Sequence, residues 1–306
     1  MDYKKIDEYV LQLVESSTPE RTAWNLEKIR EGKPASWNYI DGCMLTALME
    51  MEAITGDQRY SRFVKECVAH FVGEDGSIRT FKPEACNLDD INEGRVLFAL
   101  YERTKDERYR KAADFLRGQL GRQPRTQEGS FWHKAIYPNQ VWLDGIYMAQ
   151  PFYALYEKHF GAGDCSDTVG QIKNVRAKMF SQEKGLYFHG YDASKTAFWA
   201  DPDTGCSKNF WLRSLGWFAV ALADLLDILP EDGKRRDLAS IFTELMASAA
   251  RYADGETGLY WQVPDQGGRE GNYLETSGSA MMSYAMLKGA RLGVLDKEYA
   301  ALGQKT

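Results

Sequence analysis

Asp144 is the only charged residue between Lys134 and Glu157, inside the segment QVWLDGIYMAQPF (140–152). A carboxyl group in such apolar, aromatic company has two uses. In the first turn of a helix it complements the positive end of the helix dipole. In a desolvated pocket its charged form is disfavoured, its pKa rises, and it suits general acid/base work. On a helix, Gln140, Asp144, Tyr147 and Met148 would share a face. A second acidic motif, NLDDINEGR (87–95), puts Asp89 and Asp90 at a helix start, where one of them suffices as an N-cap. Carboxylates on different helix starts are a route to split pKa values, and one close to Asp144 would help keep it protonated. A third motif, FWLRSLGW (210–217), sets Arg213 and Trp217 four residues apart on one helix face. An Arg in an otherwise apolar helix needs a partner: a protein carboxylate, or a bound carboxylate held bidentately beside a stacking Trp. His133 in SFWHK and His189 in YFHGYD lie in aromatic loops, as structural side chains or as ligand contacts.

The elements that must position these residues are helices. Apolar side chains recur at three-to-four spacing over 38–55, 89–103, 107–120, 140–159, 208–228, 238–252 and 275–292. The stretches 185–191 and 258–263 read as loops or small hairpins. An internal repeat is visible: TGDQRY (55–60) recurs as TKDERY (104–109), an offset of 49, and D-K-E-Y (296–299) echoes it. The Asp suits a helix start and the Tyr the next buried face. The unit is a helical hairpin, and the chain holds about six of them, with long Gly-aromatic loops gathering on one face. Stacked hairpins form either an open superhelix or a closed double ring. Segments 140–156 and 210–226 are apolar nearly all round, as inner helices of a ring should be, whereas 106–120 and 234–252 are amphipathic. The expectation is therefore an all-α chain, an (α/α)6 toroid, forming one domain over 1–306.

Composition narrows the function classes. The 306 residues are 44% hydrophobic and 27% charged, which fits a globular chain rather than a disordered one. A net charge of −6 without a Lys/Arg block of five argues against a nucleic-acid partner. The charged N-terminus lacks the apolar centre of a signal peptide, and the apolar stretch near 214–223 is too short to span a membrane. Five cysteines, with no C-x-x-C pair, fit a reducing cytoplasm better than a disulfide framework. The four His offer no metal-ligand spacing. DPDTG (201–205) lacks the third acid of a calcium loop, and GAGDCS (161–166) is no dinucleotide fingerprint.

LDDINEGR, VWLDGIYM, the His of YFHGYD, WLRSLGW and LETSGSAMM, in this order, resemble the unsaturated rhamnogalacturonyl hydrolases, glycoside hydrolase family 105, from about residue 36 to 292. The resemblance implies an (α/α)6 barrel with no metal or organic cofactor. It implies a small oligosaccharide substrate with a 4,5-unsaturated galacturonyl residue linked to rhamnose, as pectin breakdown yields. A carboxylic acid protonates C4 of the enol ether, water adds at C5, the hemiketal opens, and the glycosidic bond falls apart. Carried over by motif, Asp144 is this acid and then the base that activates water. Asp89, preferred to Asp90, holds ring hydroxyls and raises the pKa of Asp144. His133 and His189 line the unsaturated-sugar subsite, Arg213 binds the uronate, and Trp211 and Trp217 stack. Tyr39 and Trp142 follow from their flanking positions. Family members usually run several tens of residues past LKGARLGVLD, so the last hairpin is expected to be incomplete. Two alternatives stand: a hydrolase of unsaturated glucuronyl disaccharides from glycosaminoglycans, and a non-catalytic helical-repeat scaffold or sugar-binding protein. A monomer or weak homo-oligomer is expected.

Overall fold

The computed structural model describes residues 3–306. The chain divides into two compact units, Met1–Arg122 and Gln123–Thr306. The first carries α1 (Tyr3–Glu15), α2 (Leu26–Glu31), α3 (Tyr39–Thr55), α4 (Arg59–Phe71), α5 (Arg95–Thr104) and α6 (Glu107–Arg122). The repeat motif makes its hairpin turns. In the α3–α4 turn the Arg59 N–H donates to Asp57 Oδ1 at 2.9 Å. In the α5–α6 turn the Arg108 N–H donates to Asp106 Oδ1 at 3.0 Å. Tyr60 and Tyr109 then open the next buried faces with no exposed surface. Each preceding helix ends on a left-handed residue, Gly56 in one copy and Lys105 in the other. Helix α4 is the second helix that the TGDQRY hairpin requires, although its range is not among the expected segments. It buries Tyr60, Phe63, Val64, Cys67, Val68 and Phe71, a regular amphipathic stripe.

The expected helix over 89–103 divides. Residues Leu88–Gly94 form a 3-10 segment, and α5 begins only at Arg95. The Asn87 side chain accepts the Asp89 N–H at 3.2 Å, so Asn87 and neither aspartate caps this segment. The segment lies hard against α3. A Cβ on Gly42 would stand 2.6 Å from both Asn92 Oδ1 and Glu93 Cα, so only glycine permits this approach. The Asn38 N–H donates to Glu93 Oε2 at 2.8 Å, which ties the segment to the start of α3.

The second unit carries β1 (Gln140–Trp142), α7 (Leu143–His159), α8 (Ser166–Met179), β2 (Phe180–Ser181), β3 (Leu186–Tyr187) and β4 (Gly190–Asp192). There follow α9 (Leu212–Ile228), α10 (Gly233–Ala249), β5 (Tyr260–Trp261), β6 (Leu274–Glu275), α11 (Thr276–Arg291) and α12 (Lys297–Lys305). Helix α9 packs between α7 and α11, while α8 and α10 pack on the outer flanks of α7 and α9. Helices α7 and α9 are buried nearly all round, as their unbroken apolar runs predict. Each fully buried Leu or Phe, such as Phe152, Phe218 and Leu222, contributes roughly 1.5–3 kcal/mol. Lys288 of α11 reaches Asp224 at 2.8 Å and the Tyr284 hydroxyl at 3.1 Å, a buried tie to α9. Helix α12 follows α11 and packs on it, with Ser283 Oγ donating to the Gly303 carbonyl at 2.5 Å.

Three boundaries differ from expectation. The helix expected from 140 starts at Leu143, because Gln140–Trp142 pair with β4; Gln140 is thus on a strand and not on the Asp144 helix face. The helix expected from 208 starts at Leu212, after an extended Trp211. The helix expected over 238–252 runs from Gly233 to Ala249, capped by Asp232 accepting the Arg235 N–H at 3.0 Å. Among the described residues, no helix is long and apolar enough to cross a membrane.

Candidate active site

The two-stranded ladder of β1 and β4 assembles the centre of the second unit. Its register sets Trp142 opposite Gly190. One step further the Leu143 N–H donates to the His189 carbonyl at 3.1 Å, which brings His189 to the first turn of α7. There His189 Nε2 stands 3.2 Å from Asp144 Oδ2. The separation is that of an ion pair, but the alignment is not that of a hydrogen bond. Both atoms are shielded from solvent and neither finds a hydrogen-bond partner. What distinguishes these two unsatisfied atoms is that they face each other and that His189 lines a cavity, where a ligand can meet them.

The contrast with other carboxylates at helix starts sharpens this. Asp41, in the first turn of α3, accepts from Thr22 Oγ1, Trp24 Nε1, Asn25 Nδ2 and Asn38 Nδ2. Glu275, at the N-cap of α11, accepts from the N–H groups of Ser277 and Gly278 and from Ser277 Oγ. Burial raises the pKa of Glu275, but these bonds and the charge of Arg213 outweigh it and hold it below the usual range. Both carboxylates are consumed by structure. Asp144 sits in an equivalent place, its N-cap residue Trp142 makes no side-chain cap, and its carboxylate accepts no hydrogen bond among the described residues.

Around this pair the aromatic side chains form a wall. A cavity of about 830 Å³ is lined by Tyr137, Trp142, His189, Trp199, Lys208 and Trp211, among others. That falls in the size range of about 300–1,000 Å³ typical of ligand pockets. Tyr137 stacks on Trp142 with ring centroids 5.0 Å apart. His189 meets Trp211 edge-on at 4.8 Å. Arg213 takes the same first-turn place on α9 that Asp144 takes on α7, and its guanidinium lies 4.5 Å from the Trp211 ring centre. The aromatic partner of Arg213 is therefore Trp211, two residues before it, and not Trp217. Among the described residues no carboxylate stands within ion-pair distance of Arg213.

His133 is buried and stacks flat on the back of Trp142, with centroids 4.4 Å apart, so it supports the wall from behind. Trp217 stacks on Tyr147 at 4.8 Å and joins α9 to α7. Tyr39, the first residue of α3, and Asp89 and Asp90, in the 3-10 segment, belong to the first unit; all three are half-buried. Sequence reading missed Tyr137, Phe198, Trp199 and Lys208. The aromatic pair FW at 198–199 was the available signal, but its loop returns to the site through the Asp192 turn, which no spacing reveals. Asp192 is itself buried and accepts from the N–H groups of Ser194, Thr196 and Ala197.

Comparison with known proteins places this chain in a family. The model described as Glycosyl Hydrolase Family 88 matches residues 14–306. A 24.9 kDa protein in the picA locus of Rhizobium radiobacter is 40% identical over 154 residues, which are 50% of this chain and 65% of that protein. An unsaturated 3S-rhamnoglycuronyl hydrolase from Formosa agariphila is 27% identical over 164 residues, 51% of this chain and 42% of that enzyme. The chain thus spans less than two thirds of the length of these curated relatives. Among solved structures, a family 105 glycoside hydrolase of C. acetobutylicum superposes with a TM-score of 0.86 at 39% identity, covering 88% of this chain and 76% of that one. An unsaturated glucuronyl hydrolase from Bacillus sp. GL1 shares the fold, with a TM-score of 0.67 at 16% identity over 89% of this chain and 74% of that one. The fold class is the expected all-α one, of the (α/α)6 type. With its match running almost from end to end, this chain belongs to glycosyl hydrolase family 88.

Proposed function

We propose that the protein hydrolyses small oligosaccharides with a 4,5-unsaturated uronyl residue at the non-reducing end, and that its preferred unit is unsaturated galacturonyl-rhamnose from rhamnogalacturonan. The observation that carries the reading is the Asp144–His189 contact: a helix-start carboxylate spared from every structural hydrogen bond, 3.2 Å from an imidazole nitrogen, beside an aromatic cavity.

In this reading Asp144 gives its proton to C4 of the enol ether while positive charge develops at C5. The resulting carboxylate then takes a proton from water as its oxygen bonds to C5. The C5 hemiketal opens to a ketone, C1 becomes a hemiacetal, and the leaving sugar departs with the glycosidic oxygen. His189 faces the acid and orients it. Trp211 and the stacked Tyr137–Trp142 pair offer apolar surface to the sugar ring. Arg213, its guanidinium 4.5 Å from the Trp211 ring centre and with no carboxylate within ion-pair distance among the described residues, holds the uronate carboxylate bidentately. Asp89, Tyr39, His133 and Trp217 keep the parts that the family resemblance gives them, Asp89 as the carboxylate that assists Asp144. One catalytic domain acting in the cytoplasm completes the proposal, supported by the cysteine pattern.

The test is a panel of unsaturated disaccharides followed by loss of the ultraviolet absorbance of the C4=C5 bond. Turnover of the galacturonyl-rhamnose compound at a higher kcat/KM than glucuronyl-amino-sugar compounds supports the reading. The reverse preference transfers the chain to glycosaminoglycan products, and inertness towards all of them refutes it.

A further inference from the structure

Beyond the Asp144–His189 centre, one part of the cavity has no task in the reaction as written. Phe198 is 96% exposed, the most exposed large apolar side chain among the described residues. Its neighbour Trp199 turns inward. A Cβ on Gly190 would lie 3.2 Å from the Trp199 ring and 3.5 Å from the Trp142 ring, so both indoles flank this glycine. The cavity wall therefore continues from Trp142, beside the acid, across Gly190 to Trp199 and out to Phe198 at the lip. Lys208 lines the same cavity and is exposed.

The charge pattern adds an independent observation. The chain has 44 acidic against 38 basic residues, and many of its cations are paired, as Lys173 with Asp237, Lys178 with Glu128 and Lys234 with Asp164. Lys208 has no carboxylate within ion-pair distance among the described residues. In an acidic protein, a lone cation on an aromatic cavity wall favours an anion that comes with the ligand. One anion, the unsaturated uronate, is already assigned to Arg213. Lys208, exposed on the same cavity as the Phe198 lip, is left for a second anion further along the substrate.

We propose that Phe198, Trp199 and Lys208 form a leaving-side subsite for a further sugar ring that carries a negative charge. It follows that acidic oligosaccharides longer than a disaccharide are the better substrates. The inference rests on the function proposed above and deepens it, since it fixes the length and charge of the substrate. Stacking on the exposed aromatic pair selects for a ring, and Lys208 selects for an acidic substituent, a carboxylate or a sulfate ester.

The experiment compares an unsaturated disaccharide with unsaturated tetrasaccharides whose third ring bears a free carboxylate, a methyl ester or a sulfate. The wild type is expected to prefer the charged tetrasaccharides to the disaccharide, with the methyl ester losing about threefold to fivefold in kcat/KM, the worth of a partly exposed ion pair. Lys208→Gln should erase the difference between charged and esterified tetrasaccharide, and about 0.5 M salt should shrink it in the wild type by screening. Phe198→Ala should lower kcat/KM for all tetrasaccharides relative to the disaccharide. A larger effect of carboxylate or of sulfate identifies the natural anion. Equal kcat/KM for all four compounds, or a charge preference that survives Lys208→Gln, overturns the proposal. So does a wild-type dimer that Phe198→Ala dissociates while the tetrasaccharide preference stays, because the lip would then belong to a second copy. If no compound turns over, the proposed function fails, and calorimetry with a saturated acidic tetrasaccharide decides the subsite separately. Weaker binding to Lys208→Gln retains it, and unchanged binding removes it.

Discussion

Replacing Asp144 by Asn separates catalysis from structure more cleanly here than at any other helix-start carboxylate of the fold. The amide is nearly isosteric but cannot deliver a proton. Loss of general acid catalysis lowers rates by about 10²–10⁴-fold, or roughly 2.7–5.5 kcal/mol of barrier. The cost to stability is small, because Asp144 accepts no hydrogen bond that the substitution would break. What is lost is one negative charge at the start of α7, worth about 0.3–1 kcal/mol. For a chain of this size that is about 1–4 °C in Tm. Glu275 supplies the control. It holds three hydrogen bonds at the start of α11, so Glu275→Ala should cost about 0.5–2 kcal/mol as a lost cap. The assay pairs initial rates of absorbance loss with thermal melts and with calorimetric binding of the substrate. Asp144→Asn should bind with a Kd within about fivefold of wild type while turnover falls by at least about a hundredfold. Retention of more than about a tenth of the wild-type rate refutes the assignment of the acid. A Tm loss equal to that of Glu275→Ala would instead make Asp144 a structural cap.

Three further outcomes are expected. Arg213→Ala should raise KM by about tenfold to a hundredfold with kcat little changed, the signature of a charged hydrogen bond that binds substrate and transition state alike; an unaltered KM in steady-state kinetics would move the uronate clamp elsewhere. Gly42→Ala should cost about 1–3 kcal/mol in urea unfolding, because its Cβ meets backbone of the segment that carries Asp89 and that segment must shift; an unchanged midpoint would refute the close approach. Burial, reinforced by the charge of Asp41, holds the Glu93 carboxyl well above its usual range. Its folded pKa therefore exceeds its unfolded one. The stability it contributes is complete below the ordinary Glu value and is lost as pH rises through the folded value, where the unfolded chain has already released the proton. Glu93→Gln should thus melt higher than wild type by a margin that is absent near pH 4 and grows towards pH 8, and a margin independent of pH would contradict this.

The fold was legible where local chemistry decides structure. The TGDQRY and TKDERY turns were readable because an aspartate capping its own next turn and a tyrosine opening a buried face are short-range devices. The runs around α7 and α9 were readable because a helix buried on all sides has no polar face to interrupt it. Asp144 stood out for the same reason, as the lone charge in such a run. What escaped the sequence depends on pairing between distant segments. Nothing near Gln140 announces that it will join a ladder with Asp192, yet that ladder delays the start of α7 and delivers His189 to Asp144. The 3-10 course of Leu88–Gly94 depends on Gly42 of another element. Spacing suggested that Arg213 meets Trp217, but an extended Trp211 folds back to meet it first. His133 reads like a loop ligand, and its burial behind Trp142 comes from stacking that only the folded chain defines.

The claim beneath all of this is that the double bond of the uronyl ring is attacked before the glycosidic bond breaks. A reaction on unsaturated galacturonyl-rhamnose in heavy water, followed by proton NMR from the first turnovers, tests it most directly. The expected result is that the olefinic H4 signal disappears no later than rhamnose is released, with one deuteron delivered to C4. Free rhamnose accumulating beside an unsaturated galacturonate that still shows its H4 signal would contradict it.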